Sequence, residues 1–133
     1  MLTLHNLTRA GLVLGAILST IPANANTPDA GAIGAIKGSG VLERDSQVID
    51  GGRGVGVMPM DTAVTARGRM RIDFIDETRV DITEHARLLI DDFVYDPNTR
   101  TGSLGLRATL GTVRYASGQI AKNSRQRVNI RTP

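Results

Sequence analysis

The sequence predicts an all-β domain, built as one sandwich or rolled sheet of short, mostly antiparallel strands, and three observations carry that prediction. Apolar and charged residues alternate strictly in the middle of the chain: Met70, Ile72 and Phe74 share one face while Arg69, Arg71 and Asp73 share the other. A period of two belongs to a strand with one face toward a core and one toward water. Turn-forming clusters, at Gly51–Gly56 and Asp96–Gly102, separate short apolar runs. Between Asn26 and Pro133 no stretch repeats its apolar residues at helical spacing over the length of an amphipathic helix.

The first 25 residues read as an export signal: Arg9 gives a weakly positive start, Ala10 to Ile21 is apolar, and Pro22 precedes Ala23-Asn24-Ala25, where cleavage is expected. The alternative, a membrane anchor, would need ~20 apolar residues, and this run is shorter. The mature protein is thus expected to be periplasmic or secreted, with no membrane span once the signal is removed. The chain holds no cysteine, so disulfides do not stabilise it. Residues 26–38, rich in Ala, Gly, Asn and Pro, read as a flexible lead-in, and residues 39–133 as the β domain.

Val41-Leu42 and Val48-Ile49 flank Glu43 to Gln47 as short strands, and the glycines of Gly51 to Gly56 read as a turn. A phosphate loop would require Gly-Lys-Ser/Thr and a following helix, and neither is present. The alternation from Met70 to Phe74 resumes with Val80 and Ile82 inward and Arg79, Asp81 and Thr83 outward, which predicts a hairpin with a three-residue turn at Asp76-Glu77-Thr78. That register sets Phe74 opposite Val80, Ile72 opposite Ile82 and Asp73 opposite Asp81. Arg87 to Tyr95 reads as a buried strand, bulged at Asp91-Asp92, and the chain reverses at Asp96 to Gly102. Leu104, Leu106, Ala108 and Leu110 then alternate inward, followed by Val113 and Tyr115 and by Val128 and Ile130.

The formal charge is +3, and the arginines alternate with apolar residues or sit beside Asp without forming a block. They read as a solvated strand face, and nucleic-acid binding is not expected. His85 is the sole histidine after the predicted cleavage site, which leaves no His or Cys cluster for a transition metal and no Gly-x-Ser-x-Gly nucleophile turn. No catalytic residue and no cofactor are expected. Asp91, Asp92 and Asp96 could offer oxygen ligands to a hard cation, although their spacing is not that of a calcium loop. The aromatic residues, Phe74, Phe93, Tyr95 and Tyr115, are most simply core packing.

From about Gly38 onward the chain resembles the FecR protein domain. The resemblance rests on Asp61-Thr62-Ala63-Val64-Thr65, on Met70 to Ile75 leading into Asp76-Glu77-Thr78-Arg79-Val80, on Arg87 to Ile90 with Phe93 to Pro97, on Leu110 to Gly118, and on Asn129 to Pro133. It implies an extracytoplasmic, non-catalytic module that binds a protein or senses an envelope component. Glu77 stands where the family commonly has glycine. The family pattern also runs on past Thr132-Pro133 into a further strand, and an export signal replaces the cytoplasmic and membrane parts of the signalling members, so sigma-factor control does not carry over. Without the further strand, Arg127, Val128, Asn129, Ile130 and Arg131 would form an interaction edge, open to a partner strand or to a second copy of the chain. Fraying is the competing expectation, because Arg125, Arg127 and Arg131 repel a second copy. The alternative function is a carbohydrate- or cation-binding domain using Asp91, Asp92 and Asp96.

Overall fold

A computed structural model describes Gly15 and residues 29–133; apart from Gly15, the expected export signal lies outside the described residues. The described chain is all-β, with nine strands in one sheet: β1 Gly31–Arg44, β2 Gln47–Asp50, β3 Gly56–Val57, β4 Thr62–Phe74, β5 Arg79–Ile82, β6 Arg87–Asp96, β7 Thr101–Leu110, β8 Val113–Ala116 and β9 Val128–Arg131. A five-residue helix, α1 (Gln119–Asn123), and a 3-10 turn at Arg125–Arg127 join β8 to β9. Among the described residues no helix is long and apolar enough to cross a membrane.

The sheet forks at β4. One side of this strand pairs with β1 along its length, from Gly31 opposite Phe74 to Glu43 opposite Thr62. The other side is divided: Thr62–Val64 pair with β6, and Met70–Asp73 pair with β5. From the first half the order continues through β6 and β7 to β9, and from the second through β5 to β8. Thr65 fills the fork. Its hydroxyl donates to the Thr83 carbonyl at 2.6 Å and accepts from the Ala86 N–H at 3.0 Å, closing the gap that neither neighbouring strand spans. Gly38 and Gly68 face each other where the ladder changes register; Gly38 has φ of +76°, and a Cβ on Gly68 would lie 2.5 Å from the Lys37 carbonyl oxygen. Only glycine tolerates both demands, so the bend is written into the two long strands.

Both branches contribute to one core. Met70, Ile72, Phe74, Val80 and Ile82 come from one, and Leu42, Leu88, Ile90, Phe93, Leu104 and Leu106 from the other. The rings of Phe74 and Phe93 meet at a centroid distance of 5.4 Å with a 31° tilt, joining the branches directly.

Several expectations need correction. The lead-in expected over 26–38 is ordered strand from Gly31 on, because its small residues let β1 lie against β4 while Ala30 and Ile33 supply the buried apolar atoms. The hairpin keeps its predicted parity but sits two residues away in register, with Ile72 opposite Val80 and Met70 opposite Ile82. Its turn is Ile75-Asp76-Glu77, closed by Phe74 N–H to Thr78 O at 2.8 Å. Asp73 therefore faces Arg79, and Arg71 faces Asp81, which replaces the expected like-charge contact by opposite charges. The bulge at the acids is present between Ile90 and Asp92. A second irregularity, between the Arg87 and Leu88 pairings, reverses the parity of β7 and turns Leu110 outward, where it is 55% exposed. Four strands, β1, β4, β6 and β7, are ten residues or longer, so the sheet is built on long strands with short ones attached.

Candidate functional site

The terminal strand β9 owes its place to the turn at Asp76. This carboxylate is fully buried, accepts from the Thr78 hydroxyl at 2.7 Å and the Thr78 N–H at 3.1 Å, and also receives the Ile120 N–H at 3.3 Å. The Asp76 carbonyl takes the Gln119 N–H at 2.7 Å. The start of α1 is thereby fastened to the hairpin, and Ile120, fully buried, anchors it in the core. The helix ends at Ser124, whose N–H returns to the Ile120 carbonyl, and the 3-10 turn then delivers the chain to β7.

β9 lies parallel to β7, with Val128 opposite Leu104, Asn129 opposite Gly105, Ile130 opposite Leu106 and Arg131 opposite Arg107. It is the last strand of its branch, and among the described residues no strand pairs with its other side. Val128 and Ile130 are half-buried and packed against the core, while Arg127, Asn129 and Arg131 are exposed. An edge with one face apolar and one cationic results. Of the residues expected at an interaction edge, Val128, Asn129, Ile130 and Arg131 form an edge strand and Arg127 ends the 3-10 turn before it; the apolar face of the strand borders a groove.

That groove, about 640 Å³, lies between β8, α1 and β9 and is lined by Tyr115, Ser117, Ala121, Lys122, Arg125, Val128 and Ile130. The Tyr115 hydroxyl is shielded from solvent and has no hydrogen-bond partner among the described residues. Burial pushes its phenol above the ordinary value, and the negative charge of Asp76 adds to the shift. Sequence reading placed Tyr115 in the core and did not foresee the groove, because α1 is too short to leave a periodic signal.

The candidate acidic ligands are not assembled. Asp91, at the bulge, lies 3.6 Å from Arg107 as an exposed ion pair. With Asp92 it borders a shallow depression that Arg127 and Arg131 share. Asp96 lies at the far end of β6, accepting from the Asn98 N–H at 2.9 Å within the turn. Among the described residues no three His, Cys, Asp or Glu side chains are grouped to hold a metal ion. His85 is exposed in the Glu84-His85 turn, as expected, and the expected glycine turn lies before Gly56, which opens β3, with Gly54 at φ of +87°.

In comparisons with known proteins, no family model matches the chain, and neither a curated protein nor a solved structure is significantly similar to it.

Proposed function

We propose that the chain is a non-catalytic, extracytoplasmic interaction module of the FecR-like kind, which binds a protein strand along β9. The observation that carries this reading is the open side of β9: a formed strand with unpaired backbone is a template for strand addition. The adjoining groove gives alternate side chains of an added strand an apolar place beside Val128, Ile130 and Tyr115. Arg127 and Arg131 favour an acidic partner over a second copy of the same arginine-rich edge. The export reading of the first 25 residues supports a partner in the cell envelope or outside the cell. A cation- or carbohydrate-binding role finds less support, since Asp91 and Asp92 lie among arginines and Asp96 is spent on a turn.

A photo-crosslinking residue at Asn129 or Arg131, compared with one at the exposed Val48 on β2, tests the reading in the exported protein. Defined adducts from β9 positions alone are expected. Equal labelling at Val48, or none at β9, would refute it.

A further inference from the structure

The outer face of the β1-β4-β5-β8 branch gathers cations that are scattered in sequence. Lys37 on β1 lies directly opposite Arg69 on β4, and the next row runs from Ala35 through Arg71 and Asp81 to Arg114 on β8. Like charges directly across a ladder destabilise a sheet. Here the acids that could offset them are engaged or too few. Asp73 is divided between Arg71 and Arg79, each at 3.2 Å from the same oxygen. Asp81 alone remains among the cations of the second row. Lys37, Arg69 and Arg114 have no carboxylate within 4.0 Å among the described residues.

The face is concave. A cavity of about 420 Å³ is bounded by Lys37, Arg69, Arg71, Arg114 and Asp81. A neighbouring one of about 330 Å³ shares Lys37 and Arg69 and adds Arg67, with Glu84 as its carboxylate. Arg71 lines the cavity while its Nε, shielded from solvent, lies 3.2 Å from Asp73 Oδ1 without a hydrogen bond among the described residues. The Arg71 side chain is one-third exposed, which leaves guanidinium N–H groups open to an acceptor.

We propose that this face binds a phosphate-class oxyanion between Lys37, Arg69, Arg71 and Arg114. Arginine forks match tetrahedral oxyanions, and charge-assisted bonds there replace cross-strand repulsion by attraction. Because the two cavities share a wall of Lys37 and Arg69, a ligand with two linked phosphates fits better than a single one. The site is separate from the β9 edge, since Arg114 and Tyr115 are successive residues of β8 and point to opposite sides. It stands whether or not β9 recruits a strand.

The test is titration of the full exported chain with inorganic phosphate and pyrophosphate at constant ionic strength, followed by amide chemical shifts. A parallel arm with phosphatidylglycerol and phosphatidylcholine vesicles separates a free phosphate from a lipid headgroup as the source. Saturable binding is expected, tighter for pyrophosphate, with shifts centred on Lys37, Arg69 and Arg114. Arg69→Gln and Arg114→Gln should each weaken it about tenfold, the loss of one charge-assisted contact, and Arg53→Gln, in the exposed turn before β3, should leave it unchanged. Absence of saturable binding to phosphate, pyrophosphate and anionic vesicles would overturn the proposal. So would binding that Arg69→Gln and Arg114→Gln leave intact, and shift mapping on the unsubstituted chain decides the matter if either variant fails to fold.

Discussion

Arg44 grips Asp61 with two parallel hydrogen bonds, Nε to Oδ1 at 2.8 Å and Nη2 to Oδ2 at 2.7 Å, and thereby ties the end of β1 to the residue just before β4. Asp61 is fully buried and also accepts the Met58 N–H at 2.8 Å, while Arg44 reaches on to the Gly56 carbonyl at 3.1 Å. The carboxylate holds the guanidinium above its ordinary pKa in spite of burial. Arg44→Met, which leaves the buried carboxylate without its cation, should cost ~3–5 kcal/mol in urea denaturation. Pairing it with Asp61→Leu should restore much of that loss, since no buried charge then remains. A cost below ~1 kcal/mol for Arg44→Met would show that the pair is not what closes this corner.

Glu77 occupies the left-handed region with φ of +70°, a conformation that glycine adopts without strain. A side chain there costs ~1–2 kcal/mol, whereas glycine costs ~0.4–1 kcal/mol through the freedom it gives the unfolded chain. Glu77→Gly should therefore stabilise by about 0.5–1 kcal/mol, even after losing the exposed contact from Gln119 at 2.9 Å. Glu77→Val should do the opposite. Thermal unfolding of the pair reads the sign directly.

Tyr115 makes stability depend on alkaline pH. Its folded pKa is raised above the unfolded value by burial and by Asp76, so its contribution is fully present below the ordinary tyrosine pKa near 10. As pH rises through the folded value, that contribution is lost. Tyr115→Phe should flatten this alkaline decline. At neutral pH it should hold or gain stability, because it removes a shielded hydroxyl that has no partner among the described residues. Urea midpoints measured at pH 8 and pH 11 check both statements.

Phe74 is 4% exposed and touches Phe93 across the core, so truncation loses both burial and a ring contact. Phe74→Ala should cost ~3–5 kcal/mol. The outward neighbour Ile75, 52% exposed, should tolerate alanine with little change. Similar losses at the two positions would mean that the inward face has been misassigned.

Much of this architecture is legible in residue alternation. Met70, Ile72, Phe74, Val80 and Ile82 declare their faces because a period of two admits no other assignment, and the paired acids of β6 announce the bulge at Asp91. Register is different. Moving a hairpin by two residues preserves every inward position, so the pattern around Asp76 could not choose between facing Asp73 with Asp81 and facing it with Arg79; the opposite-charge pairing and the turn geometry choose. The strand over Gly31 to Gly38 escaped notice because β1 is held there by backbone pairing and close approach, which small residues permit without advertising. The candidate edge was visible in Val128 and Ile130, yet its parallel seat beside β7 depends on Asp76 and Ile120, whose contact spans residues far apart in sequence. The basic face was hidden for the same reason, since Lys37, Arg69 and Arg114 become neighbours only when β1, β4, β5 and β8 align.

The forked strand also governs how the domain comes apart. Because the β1–β4 ladder belongs to both branches, neither can detach while the other stays whole, and unfolding should proceed as a single concerted transition. Amides in β6 and in β5 should then share one slow hydrogen-exchange limit, although these two strands do not pair with each other. The same ladder runs from Glu43 opposite Thr62 to Gly31 opposite Phe74, so its pairings are all long-range in sequence and the domain should fold slowly for its size. A chain built this way spends an extended interval with β4 unsatisfied, and its yield of folded protein depends on how well that interval is protected from aggregation.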